Sequence, residues 1–567
     1  MKQSLAFIRT NHEMPSIKPL DPNERLIRAG YIHSQNDKFI SLLPLGKRVL
    51  QKIEKIIREE MNVLTANEVS LPTLNSLQSL DSNERQAYSA ELFQLNNRNK
   101  DELYLTPSHL EILSLIVKEK ITSYKQLPFV LYQIQTKYRD ELNINGMFKN
   151  REFLTLDVYS FHHTTENLEE FYEKIDQVYS AIFRRLGLPY KKVLADLGSY
   201  CGELSHEYVV LSENGEVTIA QSNQSDFAVN FDVAKVTLQT TIPHCEMKEL
   251  IKEKISDTGV SADDFQTHID IPADRIIKTN VYQLNGELIV VLYRGDHILN
   301  EVKLKNVLNV QSLKLADEKL VSELFGCTTK YVGPIKLPVH VKVIADFGIK
   351  SICNGISFGN EEGSYYVNVN PERDFAINEY ADLRYIQEGE PSPDGNGIIQ
   401  FAKGHEVAHI FKLGAAYSEQ WNASFLDEQG VSKPILMGTY GFGVSRLFAV
   451  AAEMYQDEKG FIWPNSLAPF DVHLITECVD HEEGWLLSEQ LYNILLTYQF
   501  EVLFDDRQLS IDVKYKDANL IGLPVQVIVG KKASEGIVTV VDRRTGQSYE
   551  CAKEELIDRL NEFFRVY

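Results

Sequence analysis

The stretch Gln133-Ile134-Gln135-Thr136-Lys137-Tyr138-Arg139-Asp140-Glu141 places an arginine and a carboxylate two residues apart. At strand spacing, Arg139 and Glu141 share a face. A planar guanidinium there can bridge phosphate oxygens, and the carboxylate can accept a hydrogen bond from an adenine amino group. A turn at Asn143-Ile144-Asn145-Gly146 and a second strand from Arg151-Glu152-Phe153 complete a hairpin that would present charge to a nucleotide. Spacing alone fits a solvated charged hairpin at least as well. The second stretch is Met437-Gly438-Thr439-Tyr440-Gly441-Phe442-Gly443-Val444-Ser445-Arg446. Its glycines let a strand turn tightly into a helix, with Arg446 in the first turn and within reach of a nucleotide's terminal phosphates. No Gly-Lys-Ser/Thr follows, so this is not a P-loop, and no GxGxxG opens a helix after a strand as a dinucleotide site requires.

These residues need a scaffold, and periodicity supplies one. After Leu43-Pro44-Leu45-Gly46, apolar Val49, Ile53, Ile56 and Ile57 predict an amphipathic helix through about Met61. Strands are predicted at 129–137 and 152–160, with a long helix near 167–186. The character changes after 222: strands at 285–293 and 340–346 read as a separate α/β unit. That unit ends in the turn-rich Gly389-Glu390-Pro391-Ser392-Pro393-Asp394-Gly395-Asn396-Gly397. Strands at 407–413 and 435–442 and a helix at 443–455 follow. From 470 the chain alternates strand and helix and closes with a helix at 553–565, as a compact α/β domain does.

The bulk numbers set bounds. The 567 residues suggest three or four domains. A net charge of -22 argues against broad nucleic-acid binding, so an RNA-binding role requires a local basic groove. The six cysteines form no CxxC pair, so reduced, independent thiols are expected, and no metal-ligating cluster is assigned. Met1-Lys2-Gln3-Ser4 opens no signal peptide, and no apolar run reaches membrane-spanning length. A cytoplasmic protein with no membrane partner is expected.

Arg139-Asp140-Glu141 resembles motif 2 of the class II aminoacyl-tRNA synthetases, and Gly441-Phe442-Gly443-Val444-Ser445-Arg446 resembles motif 3. Leu43 to Gly46 and the helix after it resemble motif 1. The resemblance to bacterial prolyl-tRNA synthetases is closer and spans essentially the whole chain. It runs through Ser123 to Pro128, Gln133 to Glu141, Arg151-Glu152-Phe153, Asp157 to His162, Glu406 to Phe411 and Tyr417-Ser418-Glu419. In the last domain it includes Asp505-Asp506-Arg507 and Leu520 to Pro524. The resemblance implies an α/β (α+β) fold with an antiparallel-sheet catalytic core. Residues 1–222 and 396–468 would form that core, 223–395 an inserted editing-like domain, and 469–567 an anticodon-binding domain.

It also implies roles. The chain would be a proline–tRNA ligase with ATP, proline and tRNA(Pro) as partners, Mg2+ beside ATP, and a homodimer formed through motif 1. Arg139, Glu141 and Arg446 would be catalytic. With Arg151 and Phe153 they would bind ATP. Ser108, His109, Arg139, His409 and Thr439 would bind the amino acid, and Lys278 would bind tRNA's terminal phosphates in the inserted domain.

Several positions depart from the family pattern, Asn143, Asn145 and Lys412 among them. In Thr106-Pro107-Ser108-His109-Leu110-Glu111, Leu110 stands where a carboxylate would pair with the substrate ammonium. Thr439 replaces a cysteine, and Tyr365 a histidine of the editing site. A paralogue using another amino acid or a proline analogue, or a non-catalytic tRNA-binding or regulatory protein, is therefore an alternative.

Overall fold

A computed structural model describes residues 1–12, 21–36, 38–80, 92–198, 200–237, 245–254, 271–284, 286–310, 312–477 and 482–566. Helix α1 (Pro44–Val63) starts with proline in its first turn, where the missing N–H costs nothing. It buries Leu45, Val49, Ile53, Ile56, Ile57 and Met61 in one stripe and leaves Lys47 and Lys55 exposed. Helix α2 (Leu110–Lys120) follows.

The largest sheet, the core sheet, has nine strands among the described residues. Strands β1 (Phe129–Tyr138) and β2 (Glu152–His162) form a hairpin. After helix α3 (Thr165–Leu186) come β3 (Tyr190–Leu194), β4 (Leu204–Leu211), β5 (Val217–Ser222) and β6 (Ala228–Asn230). The core sheet therefore runs past 222, the boundary read from composition. The chain leaves the sheet and builds two smaller ones. A five-stranded sheet contains β7 (Ile277–Leu284), β8 (Glu287–Arg294) and β9 (Lys342–Asp346), and a three-stranded sheet centres on β10 (Ser364–Val369). It returns to the core through β11 (Ile399–Gly414) and β12 (Leu436–Phe442), and then helix α4 (Val444–Met454).

Strand β11 is longer than periodicity predicted because it pairs with β5 along its first part and β4 along its second. The change of partner falls at Gly404, where a Cβ would lie 2.5 Å from Val210 O, so only glycine fits the crossing.

Alternation decides the two faces of the sheet. Leu156, Val158, Ile410, Tyr440 and Phe442 point into a core shared with α1, α3 and α4. The intervening residues, Thr155, Asp157, Tyr159, His409, Thr439 and Gly441, face the other way.

The last domain is a five-stranded sheet of β13 (Val472–Thr476), β14 (Val502–Asp505), β15 (Val525–Val529), β16 (Ile537–Asp542) and β17 (Ser548–Ala552), in the order β14-β13-β15-β16-β17. It docks on the core through buried polar contacts. The Tyr31 hydroxyl donates to Ile521 O at 2.7 Å, beneath Phe461 and Trp463. Arg543 grips Asp457 with two bonds of 2.7 and 2.9 Å. Met1 lies along β14, with its nitrogen donating to Val502 O (2.6 Å) and its carbonyl accepting from Phe504 N (2.9 Å).

One expectation fails here. Cys245 and Cys353, 108 residues apart, are joined by a disulfide with Cα atoms 6.5 Å apart. The fold makes that pairing, and sequence spacing carries no trace of it. Cys201, Cys327 and Cys551 are free, and Cys478 lies outside the described residues.

Replacing Tyr31 by Phe leaves Ile521 O without its donor in a buried seam. The expected loss is about 1–2 kcal/mol, read as a lower urea midpoint; an unchanged midpoint would refute the role of this bond in docking.

Candidate active site

A row of paired residues crosses the core sheet. Gln133 on β1 faces Asp157 on β2, Asp157 faces Gly441 on β12, Gly441 faces His409 on β11, and His409 faces Glu207 on β4. A second row runs Leu131, Tyr159, Thr439, Phe411. The missing side chain at Gly441 leaves the middle of the first row open. Above these rows lies a cleft. Ser108, Arg139, Glu141, Phe153, His409, Thr439 and Arg446 all line it.

Arg139 and Glu141 do not sit on a strand as spacing suggested. Strand β1 ends at Tyr138, and Glu141 N donates to Arg139 O at 2.8 Å in a tight turn. The turn still brings both side chains to the cleft. The Arg139 guanidinium lies 5.4 Å from the Phe153 ring centroid, a cation–π distance. Glu141 pairs with Lys149 at 3.0 Å.

Arg446 enters from the first turn of α4, as expected. Its Nε donates to Phe148 O (2.8 Å) and its Nη1 to Glu406 O (2.6 Å), so two backbone carbonyls aim the guanidinium into the cleft. Glu406 and Glu216 carboxylates stand 3.8 and 4.0 Å away. Glu406 also lies 3.6 Å from His409 Nδ1, and the His409 ring stacks on Phe411 with centroids 4.0 Å apart. Burial and the neighbouring Glu406 push the Glu207 carboxyl up. Against its own burial, Glu406 is held low by His409 and Arg446.

Two assigned residues fall elsewhere. Arg151 does not line the cleft; its Nε pairs with Asp140 at 3.2 Å, because the tight turn points that acid back across the hairpin. His109 is fully buried below the floor. Its Nε2 donates to Pro72 O (3.0 Å), and its Nδ1 accepts from Gln133 (2.9 Å) and from the Lys137 ammonium. Lys137, itself 2% exposed, bonds Asp157 Oδ2 at 2.7 Å. Leu110 is packed in an apolar cluster with Leu71, Tyr159, Phe161 and Met437.

Sequence reasoning missed Lys137, Asp157, Tyr200 and Glu406 as lining residues. Lys137 and Asp157 stood inside quoted stretches, and alternation along β1 and β2 is the signal that puts them on the floor. Tyr200 carries no such signal, since it arrives on a loop. Nor did the sequence assign metal ligands; the fold brings one ligand atom each of Glu207, Glu406 and His409 within 4.8 Å of one another.

Burial, and then the Lys137 charge, lowers the pKa of His109 from 6.5 to about 4. The folded state therefore binds that proton later than the unfolded chain, and stability falls as pH drops from 6.5 towards 4. His109→Gln should show a smaller loss of urea midpoint across that window than the parent protein. An equal loss in both would place the acid sensitivity elsewhere.

Comparison with known proteins adds the family. Residues 93–455 match the tRNA synthetase class II core domain (G, H, P, S and T), and residues 481–563 match an anticodon binding domain. The proline–tRNA ligase of Lysinibacillus sphaericus (strain C3-41) is 49% identical over 567 residues, covering 100% of both chains. That of Bacillus cereus (strain G9842) is 45% identical over 559 residues, 98% of each chain. A crystal structure of prolyl-tRNA synthetase from Cryptosporidium parvum, complexed with L-proline and AMP, shares the fold. Its TM-score is 0.58 at 13% identity, over 96% of this chain and 75% of that one. With its antiparallel core sheet, its C-terminal domain and relatives matched from end to end, the chain belongs to the proline–tRNA ligase family of class II aminoacyl-tRNA synthetases.

Proposed function

We propose that the protein activates proline with ATP to prolyl-adenylate and transfers the prolyl group to tRNA(Pro). The observation that carries this reading is that Arg139, Glu141 and Arg446, from segments far apart in sequence, line one cleft together with Ser108, His409 and Thr439. The α-phosphate is attacked in line by the amino-acid carboxylate, so the protein's task is positioning and charge neutralisation. Arg139 binds the α-phosphate and the substrate carboxylate. Glu141 and Phe153 hold adenine, and Arg446 clamps the outer phosphates. His409, Ser108 and Thr439 shape the amino-acid side.

The fit for Mg2+ is supported by the donor set. Glu207 and Glu406 offer hard oxygens close together, with His409 beside them. Those two carboxylates would hold the ion, which supplies further neutralisation of the phosphates when bound. With a net charge of -22, taking tRNA would require Lys and Arg concentrated locally where the phosphates lie. The exposed face of α1 would pair two copies as a homodimer, in the cytoplasm.

The inserted unit carries an editing-like role for mischarged tRNA. Lys278 stands half-buried on β7 as a cation for terminal phosphates. Tyr365 occupies β10 and donates to Glu253 at 2.5 Å. Hydrolysis of alanyl-tRNA by the full chain should slow after Lys278→Ala; an unchanged rate would remove Lys278 from that role. Leu110 favours the second reading, a synthetase paralogue for another amino acid or a proline analogue.

Arg139→Ala and Arg446→Ala should each lower proline-dependent ATP–pyrophosphate exchange by roughly 10²–10³-fold without unfolding the chain. Exchange assayed with proline, alanine and cysteine tests the substrate. Near-normal rates in both variants would refute the site assignment, and a signal with another amino acid but none with proline would refute the substrate.

A further inference from the structure

Every amino acid brings an ammonium as well as a carboxylate, and a desolvated ammonium needs an anionic partner. The cleft has three carboxylates in its wall: Glu141, Glu406 and Asp157. Glu141 is committed to Lys149 (3.0 Å). Glu406 is engaged by Arg446 at 3.8 Å and His409 at 3.6 Å. Asp157 is placed differently. Its Oδ2 is anchored from below by Lys137 Nζ at 2.7 Å, with Gln133 Nε2 at 3.4 Å. Its Oδ1 has no hydrogen-bond partner among the described residues. Its partner across the sheet is Gly441, so no side chain from β12 covers it.

Lys137 is a buried cation bonded to Asp157, and it also feels Arg139 and the Glu111 carboxylate. His109 beside it stays neutral at ordinary pH. Tyr200, in the cleft wall, feels Arg139 and the Glu111 and Asp157 carboxylates, so charges of both signs stand near one side chain. That is the charge pattern of an α-amino acid: ammonium over the floor, carboxylate towards Arg139. Leu110 is buried in apolar contacts and carries no charge to offer. Glu111 is itself buried and is absent from the cleft wall.

We infer that Asp157 Oδ1 receives the substrate ammonium and that Lys137 and Gln133 hold the carboxylate in position. The inference rests on the amino-acid activation reading above and names the group that recognises the amine. In this chain it also makes the absence of a carboxylate at 110 tolerable.

The test is Asp157→Asn in the full-length protein, which preserves shape and removes the charge. The KM for proline in ATP–pyrophosphate exchange should rise roughly ten- to a hundredfold, while the KM for ATP stays within about twofold and Asp157→Glu recovers part of the loss. A second measurement separates recognition from a distorted floor. Tetrahydrofuran-2-carboxylate has an ether oxygen where proline has its ammonium, so its inhibition constant should be the same in the parent and in Asp157→Asn. A wild-type KM for proline in Asp157→Asn, or an equal loss of affinity for proline and for the ether, would overturn the assignment. If the parent protein exchanges a different amino acid and not proline, the substrate reading fails separately, and the same comparison is made with that amino acid and its hydroxy analogue.

Discussion

The site depends on the register of four antiparallel strands. Gln133, Asp157, Gly441 and His409 stand in one row because β1, β2, β12 and β11 pair at those residues. Side chains alternate between faces, so a slip of one residue on any strand would exchange Asp157 for Leu156 or Val158, or His409 for Ala408 or Ile410. The apolar face forbids that slip. Leu156, Val158, Ile410, Tyr440 and Phe442 are essentially unexposed against α1, α3 and α4, and exchanging them for charged neighbours would bury unpaired ions. The hydrophobic core on one face thus sets the chemistry on the other.

The floor of the cleft concentrates ionisable groups that proteins ordinarily keep in water. Lys137 and His109 are almost fully buried, and Glu207 is 7% exposed. Burying an ammonium is costly unless it is paired and bonded, and Lys137 meets that condition through Asp157 and His109. The result is a rigid donor and acceptor array fixed before any ligand arrives. Such preorganisation serves a reaction in which charge moves between phosphates and a leaving pyrophosphate, because the protein need not reorganise as that charge develops. Arg446 is aimed into the cleft by backbone carbonyls, whose positions follow from the strand and loop that carry them.

Much of this was legible in the residues. Alternation and helical spacing located α1, α3, β1, β2 and β12 closely, because each has one apolar face on a large core. The glycine-rich turn before Arg446 was read correctly, since a strand feeding directly into a helix needs small residues there. What escaped was non-local. The pairing of Cys245 with Cys353 joins segments 108 residues apart. The resemblance gave Arg151 and His109 binding roles, but a tight turn pairs Arg151 with Asp140 and a buried hydrogen-bond network holds His109 below the floor, so neither lines the cleft. Asp157 and Lys137 were in view and went unassigned: alternation puts each on one face of its strand, but that this face looks into a cleft depends on non-local packing.

The contact of Met1 with β14 joins segments very far apart in the chain. Met1 meets Val502, 501 residues away, and Phe504 beside it. Until those two segments meet, the outer strand of the last domain lacks this cover. An uncovered strand edge invites pairing with other chains, and closing so long a loop comes late and slowly. The shorter-range pairings of the core sheet can therefore form before this contact closes.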